Sequence, residues 1–243
     1  MGALDGRTAL VTGGGRGLGA AIAHELSDRG AHVGVLARSA AEVRQVAAAV
    51  GGTALVADVA DADRLASVLQ GFGEADIVVA NAGVVWPLGS FVGADMHEWE
   101  DALTINVVGA VRVVRAYLPG MVQRGWGRVV TISSGAASPP GMPSANAYST
   151  SKAALDMFTL HLAREVDGSG VTANAVRPGV VDTEMQTFMR SHPREQVGSE
   201  FHDRFHGMHS RGELLSAEES AGFVVDVVVS DANGTVTDIR NAR

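Results

Sequence analysis

Short apolar runs alternate along the chain with longer segments in which apolar residues recur every three or four positions. The short runs have the length of buried strands and read TALVTG, HVGVLA, TALVAD, DIVVAN, RVVTIS, VTANAV and TVTDI. Strands that alternate with helices are typical of βαβ units, in which helices cover both faces of a parallel sheet. The pattern predicts an α/β fold in which residues 1–243 form one doubly wound domain around a seven-stranded, mostly parallel sheet.

The segments between these runs carry the spacing and the end signals of helices. Each has one apolar stripe that would face the sheet: Leu18, Ile22 and Leu26; Val43, Val46 and Val50; and Leu155, Phe158, Leu162 and Val166. Asp61 and Asp95 stand where N-cap residues are expected, and Ser216 with Glu219 has the spacing of a capping box.

One stretch, from about residue 185 to residue 215, fits neither pattern. It is rich in His, Met, Phe and Arg and has poor periodicity. A long connection without regular structure is usually functional or disordered. We therefore expect a flexible flap that covers a substrate pocket.

Composition excludes several classes of protein and site. The formal charge is −8 and there is no Lys/Arg-rich run, which argues against nucleic-acid binding. There is no cysteine, so disulfides and thiolate metal sites are excluded. The chain does not open with a signal-peptide pattern, and no apolar run approaches the roughly 20 residues that span a bilayer. We expect a cytoplasmic protein with no membrane partner.

Three histidines, His202, His206 and His209, cluster in the irregular stretch. A pair four residues apart could ligate a metal ion if the segment were helical. Such histidines more often contact solvent, phosphate or substrate, and we predict no metal site.

The first predicted strand runs directly into a glycine-rich turn, TGGGRGLG, which is followed by a helix. Glycines at such a turn let backbone N–H groups approach a pyrophosphate, which the positive end of the helix attracts. The spacing Gly13-x-x-x-Gly17-x-Gly19 differs from the strict dinucleotide fingerprint and lacks the lysine of a P-loop. We interpret the turn as a nucleotide site; the alternative is a glycine-rich connection that binds no ligand.

Tyr148 and Lys152 stand four residues apart where another helix begins. Residues i and i+4 are neighbours on one face of a helix, so the ammonium can act on the phenol. A nearby cation lowers the pKa of a phenol from about 10 towards working pH, where general acid/base catalysis is efficient. The alternative is a half-buried tyrosine beside a solvated lysine.

These two motifs resemble those of the classical short-chain dehydrogenase/reductase family, with its glycine motif at residues 12–19 and its Tyr-x-x-x-Lys at residues 148–152. Further matches come in the family's order: Asp58, Asn81-Ala82-Gly83, Asn106, Ser133-Ser134 and Pro178-Gly179-Val180-Val181-Asp182-Thr183. The resemblance covers residues 8–183. It implies a Rossmann domain and an oxidoreductase that interconverts a carbonyl and a secondary alcohol by using a nicotinamide cofactor.

The resemblance also implies a set of cofactor-binding residues. Asp58 would contact the adenine ring, Asn81 would brace the strand beside the cofactor, and Thr183 would hold the nicotinamide carboxamide, although Asp58 could equally be a plain turn residue. The set comprises Gly13, Gly15, Arg16, Gly17, Leu18, Gly19, Arg38, Asp58, Val59, Asn81, Ala82, Gly83, Tyr148, Lys152, Pro178, Gly179, Val181 and Thr183.

The end of the second strand indicates which nicotinamide cofactor is used. An acidic residue there would bind the ribose 2′-hydroxyl, whereas an arginine nearby accommodates a 2′-phosphate. Ala37 occupies the acidic position, Arg38 follows it, and Arg16 lies in the glycine turn. Because a guanidinium suits a phosphate, we predict NADP(H) rather than NAD(H). The alternative is that both arginines are merely solvated.

Four catalytic residues follow from the resemblance. Tyr148 would be the general acid/base, Lys152 would tune it and hold the nicotinamide ribose, and Ser134 would donate a hydrogen bond to the substrate oxygen. Ser133 is the alternative to Ser134, because the loop before Tyr148 carries one residue more than usual. Asn106 resembles the helix residue that positions water for a proton relay through Lys152; its alternative role is a helix kink.

The residues expected to face the substrate are mostly apolar and favour a moderately hydrophobic ketone. They are Val85, Trp86, Ala136, Met142, Val180, Met185, Phe188 and Met189. We predict a reductase, because cells hold NADP mostly reduced. The alternatives are a catalytically silent, NADP(H)-binding regulatory protein on the same fold, and an epimerase or dehydratase, which would usually need a larger substrate domain.

A small carbonyl or alcohol is the expected substrate, and a homodimer or homotetramer is the expected assembly, formed through the helices that bear Asn106 and Tyr148. The chain ends GTVTDIRNAR, whereas family members commonly end with an Asp-Gly-Gly that packs between subunits. This departure leaves the choice between dimer and tetramer open.

Overall fold

Seven strands make up one sheet of the computed structural model, which describes residues 2–241. The strands are β1 (Thr8–Thr12), β2 (His32–Ala37), β3 (Thr53–Val56), β4 (Ile77–Ala80), β5 (Gly127–Ile132), β6 (Val171–Arg177) and β7 (Val236–Asp238). Their order is β3-β2-β1-β4-β5-β6-β7, and every neighbouring pair is parallel. The predicted seven strands are confirmed, and the sheet is entirely parallel.

Helices cover both faces of this sheet, as predicted. Within the described part of the chain they are α1 (Gly17–Asp28), α2 (Ala40–Ala49), α3 (Ala62–Phe72), α4 (Met96–Leu103), α5 (Gly109–Arg124), α6 (Asn146–Glu165), α7 (Glu184–Arg190), α8 (Arg194–Ser210) and α9 (Ala217–Val229). One buried cluster joins α1, α2 and α9 to one face of the sheet, and a second joins α3, α5 and α6 to the other. Ile22 and Leu26, from a predicted stripe, are fully buried in the first cluster.

Three predicted helix starts are confirmed by capping hydrogen bonds. The side chains of Asp61, Asp95 and Ser216 each accept a backbone N–H bond, at 2.8–3.0 Å, from the first turn of the helix that follows. A cap of this kind stabilises a helix by about 1 kcal/mol, because it satisfies a donor that the helix itself leaves unpaired.

The segment that we expected to be irregular is largely helical, because it contains α7 and α8. Val197, Phe201 and Phe205 recur every four residues on α8 and are buried in a third apolar cluster. Gly198, with a left-handed φ of 77°, breaks the helix. The prediction of irregular structure is therefore wrong, since this break and the polar residues around it hide a short apolar stripe. Whether the segment moves as a flap stays a prediction.

A continuous helical stretch, Met96–Arg124, comprises α4, a π-helical turn at Thr104–Val108, and α5. By length and composition it is the one helix within residues 2–241 that could cross a membrane. Its apolar side, which includes Val113, Val114 and Met121, is instead buried against the sheet. These contacts are those of a core helix.

Candidate active site

A cleft of about 1090 Å³ lies at the carboxyl ends of the strands. The strand order reverses between β1 and β4, so the connections that leave these two strands depart in opposite directions. Ligand crevices form at this point in doubly wound sheets. The glycine turn follows β1 directly and lines the cleft.

Backbone crowding explains two of the glycines in this turn. Gly13 has a left-handed φ of 65°, and a β-carbon there would lie 2.9 Å from Ala82 Cα and from Asn81 Nδ2. A β-carbon on Gly19 would collide with the Gly13 carbonyl oxygen. Larger residues would therefore push the turn away from β4, whereas glycine keeps the two backbones in close approach.

Hydrogen bonds between Thr12 and Asn81 join the ends of β1 and β4. The Thr12 hydroxyl accepts hydrogen bonds of 3.0 Å from the N–H groups of Asn81 and Ala82. The Asn81 side-chain amide donates to the carbonyl oxygens of Thr12 at 2.9 Å and Gly13 at 3.2 Å. These four bonds fix the glycine turn against the strand beside it.

The first turn of α1 offers the donors that a pyrophosphate needs. Its N-cap residue, Arg16, makes no side-chain capping hydrogen bond within residues 2–241, and Gly17, Leu18 and Gly19 line the cleft. Uncapped N–H groups at a helix N-terminus, together with the helix dipole, attract phosphate groups. The glycine turn and this helix end therefore fit the pyrophosphate of a dinucleotide.

Two arginines at the outer end of the cleft are ion-paired with acidic residues. Arg38 Nη1 lies 3.6 Å from Asp58 Oδ2. Arg16 Nη1 lies 3.7 Å from Glu42 Oε1 and also pairs with Glu184 on α7. Both arginine side chains are more than half exposed, Arg38 at 65% and Arg16 at 59%. Exposed pairs contribute little stability, so each guanidinium can exchange its carboxylate for a phosphate at small cost.

Lys152, the only lysine in the sequence, lines the cleft but is 4% exposed. Its ammonium donates a hydrogen bond of 2.7 Å to the Ile132 carbonyl oxygen and lies 5.6 Å from the centroid of the Tyr148 ring. Burial lowers the pKa of Lys152 to about 8, and the carboxylate of Asp156 opposes that effect. The lysine therefore carries its charge at neutral pH.

Tyr148 lies one helical turn before Lys152 and faces the same cleft. Burial raises the pKa of Tyr148 above its ordinary value, and a hydrogen bond with Ser134 offsets part of the rise. The spacing of Tyr148 and Lys152 predicted a lowered pKa for Tyr148. The pKa is instead raised, because desolvation of the phenolate is the larger effect. At neutral pH the phenol is protonated.

The two adjacent serines differ in what they contact. Ser134 hydrogen-bonds to Tyr148, and its Oγ accepts the Ala136 N–H at 3.1 Å. Ser133 is 2% exposed, and its hydroxyl donates to the backbone carbonyl of Lys152 at 3.5 Å. The geometry favours Ser134 as the residue that would share the substrate oxygen with Tyr148.

Asn106 is fully buried in the π-helical turn between α4 and α5. Its side-chain oxygen accepts the Val84 N–H at 2.7 Å, and its amide nitrogen donates to the Val84 carbonyl at 2.8 Å and the Ser151 hydroxyl at 2.9 Å. It thereby joins the loop after β4 to α6. Both of its N–H groups are used, so a water molecule could bond only to its oxygen.

The predicted site residues converge on this one cleft, apart from Asn106, which lies behind it. All of the predicted cofactor-binding residues and Ser134 line the cleft, as do all eight residues expected to face the substrate. The structure brings these side chains together; their contacts with a cofactor and a substrate stay predictions.

Sequence reasoning missed several charged residues that line or support the cleft. They are Glu42, Asp156, Arg177, Glu184, Arg204, Asp238 and Arg240. Only Asp156 carried a signal in the sequence, because it stands four residues after Lys152 and so shares its helix face. The others come from separate elements that only the folded chain brings together.

Comparisons with known proteins agree with this site. The short chain dehydrogenase family matches residues 7–194. The 3-oxoacyl-[acyl-carrier-protein] reductase FabG of Pseudomonas aeruginosa is 37% identical in an alignment of 245 positions, which covers 96% of this chain and 94% of that protein.

Two solved structures that carry nicotinamide cofactors have closely similar folds. L-Sorbose reductase from Gluconobacter frateurii, complexed with NADPH and L-sorbose, has a TM-score of 0.84 at 28% identity, covering 98% of this chain and 96% of that one. NAD+-bound xylitol dehydrogenase has a TM-score of 0.84 at 25% identity, covering 97% of this chain and 98% of that one.

The family match covers well over half of the chain, and the bacterial reductase is aligned over nearly its full length. The protein is therefore an oxidoreductase of the carbonyl reductase and alcohol dehydrogenase class, which acts on small carbonyl or alcohol substrates with a nicotinamide cofactor. On these findings and the site geometry, the chain belongs to the short-chain dehydrogenase/reductase family.

Proposed function

We propose that this chain is an NADP(H)-dependent carbonyl reductase that acts on a moderately hydrophobic ketone. The observation that carries the proposal is the Tyr148 phenol, hydrogen-bonded to Ser134, in the apolar part of a cleft that also contains the glycine turn. A bound nicotinamide supplies the hydride in such a reaction, and the protein supplies binding, orientation and a proton.

Tyr148 supplies the proton in this proposal. Reduction of a ketone leaves an oxygen that gains negative charge and must be protonated. Because the pKa of a tyrosine is about 10 and burial raises that of Tyr148, the phenol holds its proton at neutral pH and can donate it as an acid. The Ser134 hydroxyl, which neighbours the phenol, donates to the same oxygen and stabilises its developing charge.

Lys152 acts on the state that forms after the proton has left. Tyr148 becomes a phenolate when it donates, and the ammonium 5.6 Å from its ring centroid stabilises that charge in a poorly solvated site. The Ile132 carbonyl holds the ammonium in place, and Asn106 supports the same helix through Ser151. Lys152 therefore promotes proton transfer without ionising the resting phenol.

The preference for NADP(H) rests on the residues at the end of β2. Ala37 leaves no carboxylate to bind a ribose 2′-hydroxyl, while Arg38 and Arg16 present guanidinium groups at the same end of the cleft. The nearby carboxylates of Glu42 and Asp58 would repel a 2′-phosphate, so the attraction of the two guanidinium groups must exceed this repulsion. Similar structures bind either NADPH or NAD+, so the arginines of this chain carry the inference.

The substrate class rests on the lining of the cleft. Val85, Met142, Met185 and Met189 contribute apolar surface around Tyr148, and they belong to one buried cluster with it. The similar proteins include a 3-oxoacyl-[acyl-carrier-protein] reductase and an L-sorbose reductase, whose substrates differ widely in polarity. An apolar lining favours a ketone with hydrocarbon substituents over a polyhydroxylated one.

Turnover of NADPH over a panel of ketones, quinones, aromatic carbonyls and sugars tests the proposal. We expect oxidation of NADPH with hydrophobic ketones, much slower oxidation with sugars, and loss of turnover in Tyr148→Phe. Wild-type turnover in Tyr148→Phe would show that Tyr148 is not the proton donor. Tight NADPH binding without turnover of any carbonyl would instead support the silent regulatory protein.

We further propose a homo-oligomer in the cytoplasm. Exposed apolar residues lie on the two helical segments expected at a subunit contact: Val108 in the π-helical turn before α5, Val122 on α5, and Met157 on α6. Light scattering after size exclusion should give a dimer or a tetramer, and Met157→Asp should shift it towards monomer.

A further inference from the structure

A buried ion pair lies one helical turn beyond Lys152. Asp156 shares the face of α6 that carries Lys152 and is 8% exposed. Its Oδ2 accepts a hydrogen bond of 2.6 Å from Arg177 Nη2, at the end of β6. Arg177 Nη1 donates at 2.7 Å to the Ser138 hydroxyl. The pair thus connects α6 and β6 to the loop that bears Ser134.

The surrounding protein does not fully satisfy this pair. Asp156 Oδ1 and Arg177 Nε are buried and have no hydrogen-bond partner within residues 2–241. Transfer of two charged groups from water into the protein costs more free energy than their attraction provides, unless their remaining polar atoms also form hydrogen bonds. The pair therefore contributes little to the stability of the fold. This points to a functional role for the negative charge of Asp156.

We propose that Asp156 is a positioning residue for Lys152: Arg177 fixes the Asp156 carboxylate beside α6, and its negative charge keeps the Lys152 side chain in the ammonium form inside the cleft. The two residues are neighbours because they stand four positions apart on one helix. Burial lowers the pKa of Lys152, the Asp156 charge opposes this effect, and the pKa that results is about 8. Without that charge, Lys152 loses its proton at lower pH.

Other groups packed around Lys152 do not replace this charge. Tyr148 on α6 is a protonated phenol, and the contact from β5 is the Ile132 carbonyl oxygen. Asn106 of the π-helical turn, whose side-chain oxygen also lies beside Gly83, is neutral. Arg177 is itself cationic and disfavours a second cation. Beyond it, Asp238 is engaged by Arg240. Asp156 is therefore the carboxylate that supports Lys152 in the described part of the chain.

The single lysine makes this proposal directly measurable. Protein grown with lysine labelled with ¹³C only at Cε gives one lysine resonance, from Lys152, whose pH titration reports its ionisation without substrate or turnover. Asp156→Asn should move the titration midpoint to lower pH. Arg177→Gln should move it to higher pH, because it leaves the Asp156 charge without a counter-ion. Asp156→Glu keeps the charge and should restore a midpoint near that of the wild type.

Asp76→Asn is the matched control. Asp76 also pairs with an arginine, Arg124, at 3.5 Å, and its side chain is 18% exposed against 12% for Asp156. It precedes β4, at the opposite end of the strands from the cleft. Asp76→Asn should lower thermal stability about as much as Asp156→Asn does, with no change in the pH midpoint of the Lys152 titration. A midpoint that is the same in the wild type, Asp156→Asn and Arg177→Gln overturns the proposal.

The catalytic consequence rests on the proposed function, and a separate measurement tests it. In Asp156→Asn, the alkaline fall of kcat/KM for ketone reduction should move to lower pH along with the lysine midpoint. A shifted midpoint without any reductase activity would leave the role of Asp156 standing and reject the proposed function. Intact activity with an unshifted midpoint would do the reverse.

Discussion

The ammonium nitrogen of Lys152 lies 5.6 Å from the centroid of the Tyr148 ring, yet it hydrogen-bonds to the Ile132 carbonyl, while the phenol is bonded to Ser134. The two groups therefore influence one another through space across a poorly solvated site. In such a site a neutral phenol and a charged amine coexist at neutral pH, and the amine stabilises the phenolate only when it forms.

The ionisation of Tyr148 can be measured in isolation. The chain has two tyrosines, and burial raises the pKa of the other, Tyr117, to about 12. In Tyr117→Phe, ultraviolet titration should show Tyr148 ionising above the ordinary tyrosine value of about 10, since burial disfavours the phenolate. Adding Ser134→Ala should raise the midpoint further, because a bond that lowers the pKa is lost. Ionisation of Tyr148 below the ordinary value would show that burial is not the larger effect on its pKa.

Ser134 and Ser133 should differ in their effect on catalysis. We expect Ser134→Ala to lower kcat by about 10²- to 10³-fold, the usual loss on removing one donor to a developing oxyanion. Ser133→Ala removes a buried contact with the Lys152 carbonyl, so it should chiefly lower thermal stability. Steady-state kinetics on both variants decide the assignment, and the reverse ranking would move the role to Ser133.

Arg38 should discriminate between the two nicotinamide cofactors. Arg38→Ala should weaken NADPH binding by about 10- to 100-fold, in keeping with the loss of a charge-assisted hydrogen bond. NADH binding should hardly change, because NADH has no 2′-phosphate. Arg44→Ala, an exposed arginine on α2 that does not line the cleft, is the control. Equal losses for NADPH and NADH in Arg38→Ala would count against an NADP(H) preference.

Alanine substitutions at Gly13 and Gly6 distinguish the effect of backbone crowding at the cleft from the effect of a left-handed backbone alone. Both have positive φ values, 65° and 76°, but a β-carbon on Gly6 would have no neighbour within 4 Å. Gly6→Ala should cost about 1–2 kcal/mol of unfolding free energy from its left-handed backbone alone. Gly13→Ala should cost more and also weaken NADPH binding, because it forces the turn away from Ala82. Fluorescence titration with NADPH and denaturant unfolding check both variants, and similar behaviour of the two would argue against the crowded turn.

The predicted flap should be visible by hydrogen exchange. Residues 184–210 form α7 and α8, and Glu184 on α7 pairs with Arg16 in the glycine turn. We expect NADPH and a ketone together to slow amide exchange in this segment, while α5 in the core shows no change. Full protection of the segment in the protein without ligands would show that it is not a flap.

Local patterns in the chain predicted most of the framework. The apolar runs predicted every strand of the sheet, and Asp61, Asp95 and Ser216 marked the helix starts correctly, since caps and strand burial depend on short-range spacing. The α7–α8 helices were not predicted, because Gly198 and the polar residues around it mask the short stripe of Val197, Phe201 and Phe205, whose burial is visible only in the folded chain.

Sequence alone was enough to predict the seven strands and the helices between them as far as β6, the glycine turn, and the i, i+4 placement of Tyr148 and Lys152. Only the folded chain showed that burial raises the pKa of Tyr148, that Ser134 is the serine beside it, and that Asp156 one turn after Lys152 pairs with Arg177. Residue spacing specifies neighbours along one element, whereas desolvation and ion pairing depend on groups that folding brings from distant elements.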